Sequence, residues 1–124
     1  MVPISWGELL DKITILEIKL ARLTDRAAQA NVAAELEALR AIARLLEHSA
    51  DTSTLVARLK HLNESLWQVE DDIRDLERAG RFDSAFVELA RSVYRLNDER
   101  AAVKRALNLA FSSRIIEEKS YKPY

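Results

Sequence analysis

Two short runs, Glu70-Asp71-Asp72 and Asn97-Asp98-Glu99, concentrate carboxylates in the second half of the chain. Acidic residues on facing helices are how some helical enzymes that cleave nucleoside triphosphates hold Mg²⁺. Such ligands sit at i and i+3 or i+4, on one helix face, whereas adjacent residues diverge by about 100°. Asp71 and Asp75 keep the required spacing, but Arg74 and Arg78 interleave with them in the manner of a solvated, salt-bridged surface. His61 and Glu64 imitate one ligand pair of a di-iron bundle, a site that needs the motif from two helices and two further Glu residues. The other histidine, His48, falls at a helix end. No metal and no cofactor is therefore predicted. The absence of Cys removes thiol chemistry, and there is neither a Gly-rich phosphate loop nor a nucleophile elbow. A chorismate-mutase-like enzyme would draw on Lys19, Arg22 and Arg100 to grip a dicarboxylate, but their spacing does not single them out. No catalytic residue is assigned, and the sequence leans away from an enzyme.

Polar residues that interrupt apolar seams say more, because a polar group in a core position needs a partner there. Glu17 falls about 20° from Trp6 and about 40° from Ile13 on a helical wheel, inside the apolar sector of the first helix. Arg100 occupies a seam position between Leu96 and Val103. A carboxylate and a guanidinium placed this way could form a bidentate pair across the core, fixing register even where desolvation cancels the gain in stability. Asn97 lies close to Arg100 on its helix, and Asn63 and Glu70 flank a neighbouring seam seven residues apart. Glu17, Asn63, Glu70, Asn97 and Arg100 thus form a candidate polar network. Three readings stand: a structural network, exposed edge positions, or a ligand or catalytic site.

The elements that must carry these residues follow from caps and periodicity. Ser5-Trp6-Gly7-Glu8 has the form of a capping box, with Ile4 and Leu9 placed as a hydrophobic staple. A first helix over about 5–24 then carries the seam Leu9, Ile13, Leu16, Leu20, Leu23. Asp25 caps a second helix over about 26–48, with Leu36 and Leu39 at the centre of its seam. The polar stretch His48-Ser49-Ala50-Asp51-Thr52-Ser53 breaks the pattern, and Thr52 or Ser53 can cap a third helix over about 54–79. Its seam, Leu55, Leu59, Leu62, Leu66, Val69, Ile73 and Leu76, alternates spacings of four and three without an error. Gly80 stands where a left-handed residue would end that helix, and Phe82-Asp83 opens a fourth over about 83–111. The fourth helix has two seams: Phe86, Leu89, Val93, Leu96, Arg100, Val103, Leu107, Ala110, and, one position round, Val87, Ala90, Tyr94, Asn97, Ala101, Asn108. It should therefore touch two neighbours.

Leu and Ala occur 18 times each, and with 12 Glu and 19 Lys plus Arg they make up 67 of 124 residues, whereas Gly and Pro occur only twice each. That is the composition of long helices, and the connections are short. The fold class predicted is all-α: one domain over 1–124, an antiparallel up-down-up-down bundle of four long helices with coiled-coil-like packing and a tail over 112–124. The net charge of -1 from well-mixed charges offers no footprint for nucleic acid. No apolar run is long enough to span a membrane and the N-terminus lacks a signal-peptide pattern, so a cytoplasmic location is the expectation.

Candidate contact residues complete the reading. Ile15 and Ile18 sit on the polar side of the first helix, Trp67 lies off the main seam of the third, and Ile115, Ile116, Tyr121 and Tyr124 are apolar for a tail. They point to a homo-oligomer or a protein partner, or to docking of the tail on its own bundle.

The segments VPISWGELLDKITILEIKLARL, LWQVEDDIRDLE and FVELARSVYRLNDERAAVKRALN, with the tail EEKSY, resemble a family of short bacterial helical proteins that has no assigned activity. The resemblance covers most of the chain, least clearly in the second helix. It implies a bacterial or phage origin and a small stand-alone domain, and it brings no role for Glu17, the Glu70 run or Asn97-Asp98-Glu99-Arg100. The expectation from sequence is thus a helical interaction or self-assembly module. The alternative is a small-molecule binder or enzyme built round Glu17, Asn97, Arg100 and Glu70.

Overall fold

The computed structural model describes residues 5–119, with side chains through Phe111. Four helices follow one another: α1 (Trp6–Arg22), α2 (Arg26–Ala43), α3 (Ala50–Arg78) and α4 (Ser84–Lys119). Their starts are set by side-chain oxygens that accept otherwise unpaired amides. Ser5 Oγ accepts from the amide of Glu8 at 3.2 Å, and Asp25 Oδ2 from that of Ala28 at 3.0 Å. Glu8 turns its carboxylate to Lys104. Ile4, the other half of the expected staple, lies outside the described residues.

Three boundaries differ from those read off the sequence. α2 ends at Ala43, short of 48. α3 begins at Ala50 because Ser49, not Thr52 or Ser53, is its cap: Ser49 Oγ accepts from the amide of Thr52 at 3.2 Å while Thr52 Oγ1 accepts from that of Ser49 at 2.7 Å. This reciprocal pair, with Thr52 in the role usually held by Glu or Gln, adds a full turn. α4 runs on through 112–119, a stretch read from sequence as tail. Gly80 ends α3 as expected, with φ of 68°. The amide of Arg81 donates to the Leu76 carbonyl at 2.9 Å and that of Gly80 to Glu77 at 3.1 Å, the paired bonds of a Schellman turn.

The helices form a four-helix bundle that is unevenly packed. α1 is its axis, touching each of the other three, and α3 and α4 pack along each other. α2 approaches α1 alone among the described residues, so α2 and α3 are successive without being backbone neighbours. Leu36 is the one α2 residue that is buried, at 1% exposure. The core is Leu9, Leu10, Ile13 and Leu16 of α1, Leu36 of α2, Leu59 and Leu62 in the first half of α3, and Val103, Leu107 and Phe111 of α4. α4 runs antiparallel to α1, with Gly7 against Asn108 and Asp11 against Arg100, and antiparallel to α3, with Arg58 bonded to Glu99 at 2.6 Å.

Gly7 lets α1 and α4 meet closely. Its amide donates to Asn108 Oδ1 at 2.7 Å, and a Cβ at this position would lie 2.6 Å from the Lys104 carbonyl oxygen. Backbone on one side leaves little room to yield. Gly7→Ala gains about 1 kcal/mol in helix propensity but incurs overpacking of about 1 to 3 kcal/mol. We expect a net loss of stability in urea unfolding; a more stable variant would show that α4 can move away from α1 without cost.

Candidate functional site

The polar centre of the molecule is built on Asp11, a residue the sequence analysis did not single out. Asp11 is 3% exposed, beside Thr14 at 1% and Asn63 at 5%. Arg100 reaches it from α4 as a fork: Nε donates to Oδ1 at 2.9 Å and Nη2 to Oδ2 at 2.5 Å. Asn63 of α3 donates its amide hydrogens to Asp11 Oδ1 at 2.9 Å and to Thr14 Oγ1 at 2.8 Å, and the Thr14 hydroxyl donates to the Asp11 backbone carbonyl oxygen at 2.8 Å. Lys104 Nζ stands 3.7 Å from Asp11 Oδ2 and also pairs with Glu8. One carboxylate thereby ties α1 to α3 and to α4.

Burial is the largest single influence on the Asp11 carboxyl and pushes its pKa up. The hydrogen bonds from Arg100 and Asn63, with the charges of Arg100 and Lys104, outweigh it and hold the group below its ordinary value of 3.8. Arg100 is pushed up in turn, first by its bonds to Asp11, with Glu8 and Glu70 adding negative charge nearby. No buried side-chain nitrogen or oxygen among the described residues lacks a partner.

The five candidate network residues divide. Asn63 and Arg100 both bond to Asp11, and Asn97 Oδ1 accepts from Arg100 Nη1 at 3.2 Å at the exposed edge of the cluster. Glu70 is exposed and reaches Arg100 only through its charge. Glu17 belongs elsewhere: it bonds Arg40 at 2.8 Å and faces Lys60 at 3.6 Å, so the bidentate partner of Arg100 is Asp11 rather than Glu17. Two shallow grooves, of about 190 and 260 Å³, flank Glu17, Ala21 and Lys60. Neither is lined by Asp11 or Arg100.

The candidate contact residues also part company. Ile18 is 4% exposed and Ile15 half-buried, because α1 is enclosed on several sides and its supposed polar face is a second core face. Asp11 shares that face: it lies about 20° from Ile18 on the wheel. An apolar Ile18 beside Asp11 was the available signal that Asp11 is buried. Trp67 is half-buried, with the Arg22 guanidinium 5.7 Å from its ring centre. Ile115 and Ile116 fall in the last turns of α4, beyond the described side chains, and Tyr121 and Tyr124 lie outside the described residues. His61 is exposed, His48 meets the Phe111 ring edge-on at 5.5 Å, Asp72 accepts from Gln68 at 3.0 Å, and Asp71 and Asp75 pair with Arg74 and Arg78. Among the described residues no three His, Asp or Glu side chains gather to hold a metal ion, and no helix is long and apolar enough to cross a membrane.

The sequence signature carried by this architecture spans the whole chain: residues 1–124 match the model of one family. The chain belongs to the family of unknown function DUF6165. No curated protein and no solved structure matches it.

The geometry of the Asp11 cluster makes two predictions. Asp11→Ala strands a half-buried guanidinium and a buried amide, and we expect a loss of about 3 to 5 kcal/mol in urea unfolding. Replacing both partners, Asp11→Leu with Arg100→Leu, leaves no orphan charge and should cost less than the single change. For pH the sign follows from a depressed carboxyl: its stabilisation is present above the ordinary value near 3.8 and lost as pH falls through the lower folded-state value. The stability difference between wild type and Asp11→Asn should therefore be level from about pH 7 to about pH 5 and shrink below about pH 4.

Proposed function

We propose that the chain is a protein–protein interaction module whose contact surface is the outer part of the α3–α4 hairpin. One observation carries this reading: between Leu66 and Val103 no residue is buried. Val69, Ile73 and Leu76 of α3 meet the Phe86, Leu89, Val93 and Leu96 seam of α4, yet every one of them stays only half-buried. Two helices can cover each other along one line only, and a fully buried residue needs neighbours on all sides. α1 and α2 supply these for the inner half of the molecule; no other described helix does so for the outer half, which extends about 18 Å beyond Leu66 on α3.

The same region concentrates exposed apolar side chains. Phe82 is 58% exposed, Val87 50% and Tyr94 55%, the last two on the second seam of α4. Farther along, that seam faces α1 through Asn108, as the double-seam pattern requires, but at Val87 and Tyr94 no other described helix covers it. The small-molecule reading has less support. The Asp11 cluster is internally satisfied and borders no described groove, and the grooves at Glu17 are shallow and already ion-paired.

Two measurements test the proposal together. Val87→Ser with Tyr94→Ser should leave the unfolding free energy within about 0.5 kcal/mol, since those side chains contribute little to the fold. A photo-crosslinking residue in place of Tyr94, in cells that make the protein naturally, should give one discrete covalent adduct that Val87→Asp abolishes. The same residue in place of Asp51, exposed at the start of α3, should give none. Equal labelling from both positions, or none from position 94, would overturn the proposal.

A further inference from the structure

The exposed side of α4 has a pattern that complements itself when reversed. Val87, Tyr94 and Leu109, the last 69% exposed, fall within about 60° of one another on the helix. Arg91 and Asp98 lie along the same stripe; both are exposed, and neither has an ion-pair partner among the described residues. The positions that face α1, namely Arg100, Lys104 and Asn108, lie about 40° to 120° to one side of Tyr94. The stripe is therefore clear of the other described helices.

We infer that a second copy of this chain occupies the stripe, its α4 antiparallel to the first about a two-fold axis near Tyr94. This rests on the reading of the outer hairpin as a contact surface and names its partner. Reversing the helix about that point sets Tyr94 against Tyr94 and Val87 against Ala101 and Ala102. Arg91 comes beside Asp98 of the other copy, and by symmetry Asp98 beside Arg91, so one register forms two ion pairs. Leu109 falls level with position 79, beyond the start of the other copy's α4, and lies outside the contact. Ala90, Ala101 and Ala102 are small enough for the backbones to come close. In antiparallel helix pairs flanking charges of opposite sign decide register and orientation in just this way. A parallel arrangement would instead set Arg91 against Arg91 and Asp98 against Asp98.

The stretch that the two copies of α4 share, from Ser84 to Lys104, is about 30 Å long and one helix wide, roughly 300 Å² from each copy, the size of a weak, transient contact. The dimer is consequently reversible. Sedimentation equilibrium of the intact chain at pH 7 and low salt, from micromolar to near-millimolar concentration, should give an average mass rising from 14.1 kDa toward twice that value. Arg91→Asp and Asp98→Arg should each weaken association at least tenfold, since each sets like charges together twice. The protein with both changes should recover to within about threefold of wild type. Circular dichroism on each variant establishes that these surface changes leave the helices intact. Failure of the double variant to recover, or indifference of association to either single change, would overturn the pairing. So would a wild-type chain that stays monomeric throughout the range. Should the chain stay monomeric while the crosslinker at position 94 captures a different protein, this inference falls and the contact surface stands; if position 94 captures nothing, both fall.

Discussion

A carboxylate taken out of water must be matched where it sits, and in this protein that requirement fixes how three helices meet. Asp11 is almost wholly enclosed, and α3 supplies an amide and α4 a guanidinium to satisfy both of its oxygens. Apolar seams alone allow helices to slide by a turn with modest loss, because one Leu replaces another. A forked Arg100–Asp11 pair does not slide: a shift of one turn would leave a charge buried without a partner. One turn before Asp11, Gly7 lets the α4 backbone approach within a distance that a Cβ would forbid, so the same stretch of α1 sets both register and spacing. Desolvation of both charges opposes what the hydrogen bonds gain, so the forked geometry matters first for register.

From that junction the packing is asymmetric. α1, held on several sides, has no polar face in the usual sense; α2 covers only part of it, through Leu36 and ion pairs such as Lys12 with Glu35 at 3.1 Å. Past α1 the α3–α4 hairpin continues alone. Its Leu, Val and Ile residues zip two helices together and leave the outer flank of α4 without a neighbour among the described residues. The inner part of the molecule supplies cooperative stability, and the projecting part of the hairpin adds little to the core.

The residues that were legible in the sequence were those whose signals are local. Asp25, Gly80 and the α3 seam stand where caps and periodicity put them, because these effects act within one or two turns. Arg100 was visible as a charge in an apolar line, and Asn63 and Asn97 as its possible companions. Asp11 is not visible in this way, because its neighbours on the wheel, Ile15 and Ile18, share a face that reads as polar in α1 taken alone. Glu17 was assigned to the core cluster because it sits in the apolar sector of α1, where α2 and α3 meet it instead with Arg40 and Lys60. Ser49 was missed as a cap because the run His48 to Ser53 holds several capping residues, and only the reciprocal bonds with Thr52 select one.

The sequence by itself determined that the chain is helical, how many helices it has, and most of the points at which they start and stop, since backbone capping and hydrophobic period are properties of short segments. Which helix is central, which carboxylate meets Arg100 and which half of α4 lacks a neighbour among the described residues were decided by tertiary structure alone. Those outcomes depend on how faces belonging to different helices are turned toward one another, and a wheel drawn for one helix contains no information about the angle at which the next one crosses it.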